Sequence, residues 1–210
     1  LTCGDGGIIT CNDEKLATTI RKIGGLGFKS LTAESGKVRT DRDKLQNPNW
    51  DRFDEIGYNY RLGQMNAAVA LAQMERAEYF IDLRRAMGLA YTDALKNSEL
   101  LTPQRVLDGY YHTYYTFSAK FNGDKLGVSW ENFRRKYIEL GGDGIYGASK
   151  LQHQEPVFRD RNIGYGETPV AVDLQRNLMN FTTNQANKEE RDAQIEVMKK
   201  TQRYFGDILT

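Results

Sequence analysis

The sequence predicts an α/β to α+β fold: a glycine-rich, partly helical N-terminal portion, one long connecting helix, and a small C-terminal α+β domain. Three observations carry this. Leu16, Ile20 and Ile23 mark one apolar helix face behind a glycine-dense opening. From residue 63 to 97, apolar residues recur mostly at three- and four-residue spacings with no proline between them. After Pro103 the texture changes to an aromatic, β-branched run followed by further helical patterns. The corresponding division is 1–62, 63–97 and 98–210.

The bulk numbers bound the function. A chain of 210 residues, 40% hydrophobic and 27% charged, can bury a core without disulfide or metal staples. Twenty-nine basic against 28 acidic residues leave a net charge of +1, so no global field draws it to nucleic acid or to an anionic membrane. No apolar run approaches the ~20 residues that span a bilayer, and no signal peptide is visible. Cys3 and Cys11 are too few for a disulfide framework or a zinc site, and read as reduced thiols of a cytoplasmic protein. The first residue is Leu rather than Met, which suggests that the chain does not begin where its gene begins.

Element by element, Leu1 to Thr10 reads as strand, glycine turn, strand. Asn12 is the expected N-cap of the first helix, with Asp13 and Glu14 where the helix dipole favours acids. Gly24 and Gly25 end that helix. Leu26 to Asn59 is polar and aperiodic, with a turn at Asn47-Pro48-Asn49. An unbroken helix over 63–97 would be ~50 Å long, unless Gly88 or Arg84-Arg85 divides it. Tyr110 to Phe121 reads as a strand and Asn122-Gly123-Asp124 as a turn. Ser129 caps a helix ending at Gly141-Gly142, and a short strand follows near Ile145-Tyr146. Pro169 to Leu178 is a short helix with proline in its first turn. Asn187 with Glu190 has capping-box spacing and opens a last helix through Ala193, Val197, Thr201, Tyr204 and Ile208.

Chemistry has few places to sit. Gly4-Asp5-Gly6-Gly7 lets backbone approach a phosphate, or simply supplies a tight turn at positive φ. His112 lies in the aromatic run and His153 in a polar loop, neither with a second ligand at metal spacing. A sheet residue with a satisfied ring accounts for the first, while loop placement leaves a functional role open for the second. Gly57-Tyr58-Asn59-Tyr60-Arg61 combines two rings, an amide and a guanidinium just before the long helix. Such a set holds a phosphate or carboxylate beside a ring, or anchors the loop by aromatic packing. No nucleophile–base pair is visible, so no catalytic residue is assigned, and no metal ligand either.

Taken together and in order, these segments resemble the DegT/DnrJ/StrS family of sugar aminotransferases. Leu1 to Asp13 is similar to the family's "T-T-G-E-G-G-hydrophobic-x-x-T-x-D" stretch, with Asp5 for the usual Glu and Cys3 for a usual Thr. Leu16 to Lys22 followed by Gly27 resembles its next segment. Gly57 to Leu62 resembles "G-x-N-Y-R-M", Ala67 to Glu75 resembles "A-A-x-G-L-A-Q-L-E", Arg84-Arg85 its "R-R", and Pro169-Val170-Ala171 its "P-x-A-E".

The resemblance implies the C-terminal part of a fold type I (aspartate-aminotransferase-like) transferase dependent on pyridoxal phosphate. It implies amino transfer from a donor such as glutamate to a keto group of a nucleotide-linked sugar, in a homodimer whose sites draw on both subunits. By the same resemblance Asn59 binds the partner subunit's cofactor phosphate. Arg61, with Tyr60 beside it, approaches a substrate or donor carboxylate. His153 lines the sugar-nucleotide site, and His112 is a further substrate-side candidate. The family's Schiff-base lysine would fall about two residues before Leu1, so these residues alone are expected to be a catalytically inactive fragment. Lys15, Lys22 and Lys29 lie in or after the first helix and do not simply replace it. Two alternatives stand beside this reading: a non-enzymatic relative serving as a dimerisation or interaction module, and a dehydratase of the same family with histidine at the lysine position.

Overall fold

The computed structural model describes residues 1–36, 42–147, 149–164, 166 and 168–207, without the side chains of 42 and 45. The chain divides into two compact units, Leu1–Ala77 and Glu78–Thr210.

In the first unit, α1 spans Glu14–Gly24. Its N-cap is Asp13 rather than Asn12, because the Asp13 carboxylate accepts the Leu16 N–H at 2.8 Å. Upstream of it the expected strand–turn–strand does not form. Residues 1–12 run without a strand, and Ile8 and Ile9 are 67% and 71% exposed. Isoleucines favour a strand only where a neighbour completes the ladder, and none of the described segments pairs with this one. The long loop holds the short helix α2, Arg42–Gln46. The turn at Asn47-Pro48-Asn49 closes as read: Trp50 N–H donates to Asn47 O at 3.2 Å and Asn49 N–H to the Asn47 side chain at 2.9 Å.

The long helical stretch is two helices, α3 over Gln64–Met74 and α4 over Ala77–Ala94. The interruption falls at Glu75–Arg76, not at Gly88 or Arg84-Arg85. There the bonding tightens from Glu75 N–H to Leu71 O (3.0 Å) to Arg76 N–H to Gln73 O (3.2 Å). Gly88 stays helical because its missing side chain makes room for Tyr114. A Cβ there would stand 2.4 Å from the Tyr114 ring. Arg84 and Arg85 stay helical and reach sideways to the carbonyls of Tyr115 and His112, at 2.9 and 2.6 Å.

The second unit carries the core. Strands β1 (Leu101–Pro103), β2 (Phe117–Phe121), β3 (Ile145–Gly147) and β4 (Leu178–Phe181) form an antiparallel sheet in the order β1-β2-β4-β3. Register places Phe117 opposite Phe181, Ala119 opposite Met179 and Ile145 opposite Phe181, so one face is continuously apolar. Helices α4, α5 (Trp130–Glu139) and α8 (Lys188–Tyr204) bury Met87, Tyr91, Phe133, Tyr137, Val197 and Met198 in the same core. A short α6 (Pro156–Arg159) and α7 (Pro169–Asn177) complete the unit. On the outward side of β2, Lys120 pairs with Asp173 of α7 at 3.0 Å.

The expected N-caps of the second unit hold. Ser129 accepts the Asn132 N–H at 3.1 Å, and Asn187 accepts the Glu190 N–H at 2.9 Å while Glu190 accepts from Ala186 N–H. The expected strand Tyr110–Phe121 shrinks to its last five residues. Its first half is a loop turning at Tyr114 (φ 51°), held by the two arginines of α4. The turn at Asn122-Gly123-Asp124 is drawn into a short 3-10 helix, Gly123–Leu126. Ile208, placed in the last helix by its spacing, lies outside the described residues. Among the described residues, no helix is long and apolar enough to cross a membrane.

Candidate functional site

The segment carrying Asn59 and Arg61 is zipped onto the end of α1. Leu26 N–H donates to Tyr58 O (2.9 Å), Tyr58 N–H to Ile23 O (2.6 Å) and Tyr60 N–H to Gly24 O (2.8 Å). Gly25 and Asn59 form a bridge, as do Phe28 and Phe53, whose rings lie 4.7 Å apart. The close approach needs glycine on both sides. A Cβ on Gly57 would stand 2.2 Å from Gly27 N, and one on Gly27, which sits at φ 76°, would stand 1.9 Å from Glu55 O. Lys22 and Asp54 add a salt bridge of 2.6 Å across the same contact.

This ladder presents three exposed side chains. The Tyr60 ring stacks on Tyr58 at 5.3 Å and 12°. Arg61 Nε donates to Asn59 Oδ1 at 2.8 Å. That bond fixes the two side chains relative to one another and occupies one lone pair of the amide oxygen. Asn59 Nδ2 and both Arg61 Nη atoms have no partner among the described residues, so the pair presents mostly donors. Tyr60 and Arg61 border a cleft of about 500 Å³ whose floor includes Ile9, Ile20, Ile23 and Leu31. Arg21, also on that border, spends its Nη1 on the carbonyls of Thr32 and Ala33, at 2.7 and 2.6 Å. A cationic fork at the mouth of an apolar cleft, bonded to a neutral amide, suits a phosphate or carboxylate on a planar, apolar body.

The glycine-dense opening adopts the positive φ its composition allows, 82° at Gly4 and 155° at Gly6, and Gly7 lines the cleft. Its carbonyls are held from α3: Asn66 Nδ2 donates to Cys3 O at 2.9 Å. Nothing in the sequence singles Asn66 out. Both thiols, Cys3 and Cys11, are free.

The two histidines belong to the second unit. The His112 ring is engaged inside it: Nδ1 accepts the Tyr114 N–H at 2.9 Å, Nε2 lies 3.1 Å from Gln104 Nε2, and the ring packs on Tyr114 at 4.4 Å. His153 sits in a single 3-10 turn, Gln152–Gln154, half-buried and with no hydrogen bond among the described residues. No contact joins the two histidines among the described residues. Sequence reading also missed a buried hydroxyl pair in the core of this unit. Tyr91 and Tyr137 meet at 3.3 Å, and Tyr137 donates to Gln194 Oε1 at 3.2 Å. Burial is the main reason the Tyr137 phenol is pushed up to about 12 and Tyr91 further still.

The fold matches an aminotransferase from Psychrobacter cryohalolentis with a TM-score of 0.76 at 18% identity, covering 94% of this chain and 51% of that one. It matches Helicobacter pylori PseC, an aminotransferase involved in the biosynthesis of pseudoaminic acid, with a TM-score of 0.72 at 15% identity over 92% and 47%. It also matches the E. coli GDP-4-keto-6-deoxy-D-mannose-3-dehydratase with bound hydrated PLP, with a TM-score of 0.71 at 19% identity over 90% and 49%. The chain thus spans about half the length of the structures it matches, and its architecture is a partial fold type I transferase. The model of the DegT/DnrJ/EryC1/StrS aminotransferase family matches residues 1–200. A match of that length, on a partial fold type I scaffold, makes this chain a member of the DegT/DnrJ/EryC1/StrS aminotransferase family.

Proposed function

We propose that the protein is a pyridoxal-phosphate-dependent aminotransferase that moves an amino group from a donor such as glutamate to a keto group of a nucleotide-linked sugar. The observation that supports this best is the pair of unpartnered donors, Asn59 Nδ2 and Arg61 Nη, fixed on the α1 ladder beside an apolar cleft. The donor chemistry fits the cofactor: a neutral amide and a cation suit its phosphate and a substrate carboxylate, and the stacked Tyr58–Tyr60 pair suits a flat ring. The cofactor, when bound, supplies an electron sink for the carbon that gains or loses the amine.

This chain's own residues bind and orient. Asn59 donates to the phosphate without adding charge. Arg61, held to Asn59 through Nε, keeps its terminal fork for a carboxylate. Tyr60 shields the ion pair from water on one side. His153 lines the sugar-nucleotide site, and His112, whose ring is engaged by Gln104 and the Tyr114 N–H, is a weaker substrate-side candidate. The working form is a cytoplasmic homodimer in which Asn59 serves the partner subunit's cofactor. The division into 1–62, 63–97 and 98–210 assigns these tasks to a cofactor-binding part, a connecting and dimerising stretch, and a small substrate-side domain.

The test is titration of the chain with pyridoxal phosphate by calorimetry, with inorganic phosphate as competitor. Saturable, phosphate-competed binding is expected. It should weaken about tenfold or more in Asn59→Ala or Arg61→Ala, the effect of losing a hydrogen bond to a charged group. Borohydride reduction followed by mass spectrometry is expected to leave the lysines unlabelled, with Lys22 already held by Asp54. Absence of saturable binding would overturn this reading in favour of an interaction module. A second reading, a sugar dehydratase, has support from the likeness to the E. coli dehydratase. Product mass separates the two, because a transferred amine and a lost water change the sugar differently.

A further inference from the structure

We propose that Asn66 is a positioning residue: its side-chain amide locks the Gly4–Gly7 turn against the segment that carries Asn59 and Arg61. The inference rests on the phosphate-binding reading of those two residues and adds to it a residue that holds another part of the cleft lining, through Gly7.

Residues 1–12 form no strand, so their carbonyls have no ladder to bond to. Asn66 supplies the missing donor from 63 residues away, giving Cys3 O a bond of 2.9 Å and lying 3.5 Å from Asp5 O. Asn66 is half-buried, whereas Met65 beside it on α3 is 84% exposed. Asparagine in a helix is a weak former compared with alanine or glutamine, so the position is justified by the side-chain bond rather than by local preference.

The fit is tight on the turn's side as well. A Cβ on Gly4 would stand 3.4 Å from Asn66 Nδ2, and Gly4 turns at φ 82°. One helical step earlier in the chain, Leu62 presses on the same turn, since a Cβ on Gly6 would stand 2.8 Å from Leu62 Cδ1. Leu62 directly follows Arg61, and Asn66 lies four residues beyond Leu62. They fasten the turn at two points to the very stretch that bears the free donors. Gly7, at the end of the turn, lines the same cleft as Arg61. With the turn's carbonyls drawn toward Asn66, the N–H groups of Gly6 and Gly7 have no acceptor among the described residues. Asn66 thus sets the spacing between the glycine wall and the Arg61 rim without itself reaching the cleft.

The test compares the full chain with Asn66→Ala, Asn66→Asp and Asn66→Gln. Two readouts are taken: calorimetric affinity for pyridoxal phosphate and for inorganic phosphate, and amide hydrogen exchange over Gly4–Ile8. The expected result is faster exchange at the turn in both the Ala and Asp variants and an affinity loss of about fivefold, typical of removing one ordering hydrogen bond. Gln, which keeps the amide donor, should recover most of both. Asp keeps the size of the side chain and loses its donor, so it carries the test if Ala fails to fold. Equal affinity for wild type and Asn66→Ala, with wild type binding, would overturn this inference alone. So would recovery by Asp as complete as by Gln. Failure of the wild type to bind either probe would instead overturn the phosphate-binding reading, and this inference with it.

Discussion

Asp207 shows how much one side chain can carry. Its buried carboxylate accepts from Ser98 Oγ at 2.6 Å, Glu99 N–H at 2.7 Å and Gln202 Nε2 at 3.1 Å. It therefore ties the stretch after α4 to the end of α8. Asp207→Ala strands three donors, and an unfolding free energy lower by about 2–4 kcal/mol is expected from chemical denaturation followed by a probe of the second unit. Gly57 is a second such residue, for steric reasons. Gly57→Ala places a methyl 2.2 Å from Gly27 N, so the ladder must open. Amide exchange at Leu26, Tyr58 and Tyr60 should rise together, while the second unit's exchange stays as it was. At this scale Asn59 and Arg61 stood out as candidates, because an amide and a guanidinium interleaved with two tyrosines are unusual neighbours in sequence. Asp207 and Asn66 were not, because each acts on a backbone dozens of residues away and looks locally like any polar residue.

Within the second unit, helices α4, α5 and α8 are joined by a polar thread through an otherwise apolar core. Tyr91 meets Tyr137, Tyr137 donates to Gln194, and Gln194 also accepts the Asp143 N–H at 2.9 Å and donates to Gly141 O at 3.2 Å. Burial raises the Tyr137 phenol from 10.0 to about 12. The unfolded chain thus releases this proton at lower pH than the folded one. The stabilisation is complete below about pH 10 and declines as pH climbs toward 12. The melting temperature of the second unit should therefore fall over that window. Tyr137→Phe should flatten the fall at the cost of about 1–2 kcal/mol at neutral pH, from the bond lost to Gln194. A pH profile unchanged by Tyr137→Phe would count against this. Helix caps were readable in advance because capping is decided within four residues, as at Ser129 and Asn187. Strands β1 and β4 were not, since three or four residues acquire strand character only by pairing with β2. The aromatic run before β2 misled in the opposite sense. Its aromatic and β-branched composition suits a strand, but Arg84 and Arg85 hold the carbonyls of Tyr115 and His112 instead.

Across the whole molecule, burial is uneven. The second unit has a continuous core of strands and helices, while among the described residues of the first unit only Leu31 is a buried large apolar side chain. Leu16, Ile23, Met65, Val69, Leu71 and Met74 remain exposed. A surface of this kind is costly in water and favours association. Sedimentation velocity across a concentration series should show reversible self-association, weakened by Met65→Asp with Leu71→Asp. A strictly monomeric species at all concentrations would contradict it.

The sequence by itself determined the class of fold, the family and the caps at Ser129 and Asn187, and it singled out Asn59 and Arg61 as candidates, because these depend on residue types at short spacings and in a fixed order. Only the tertiary structure decided where the long helix breaks, which strands pair, and that Gly27, Gly57 and Gly88 are there for close packing. It alone showed that His112 is engaged inside its own unit, and that Asn66 and Asp207 hold distant backbone in place. Each of those outcomes is set by contacts between segments far apart in the chain, where what a residue meets, not what it is, fixes its energy.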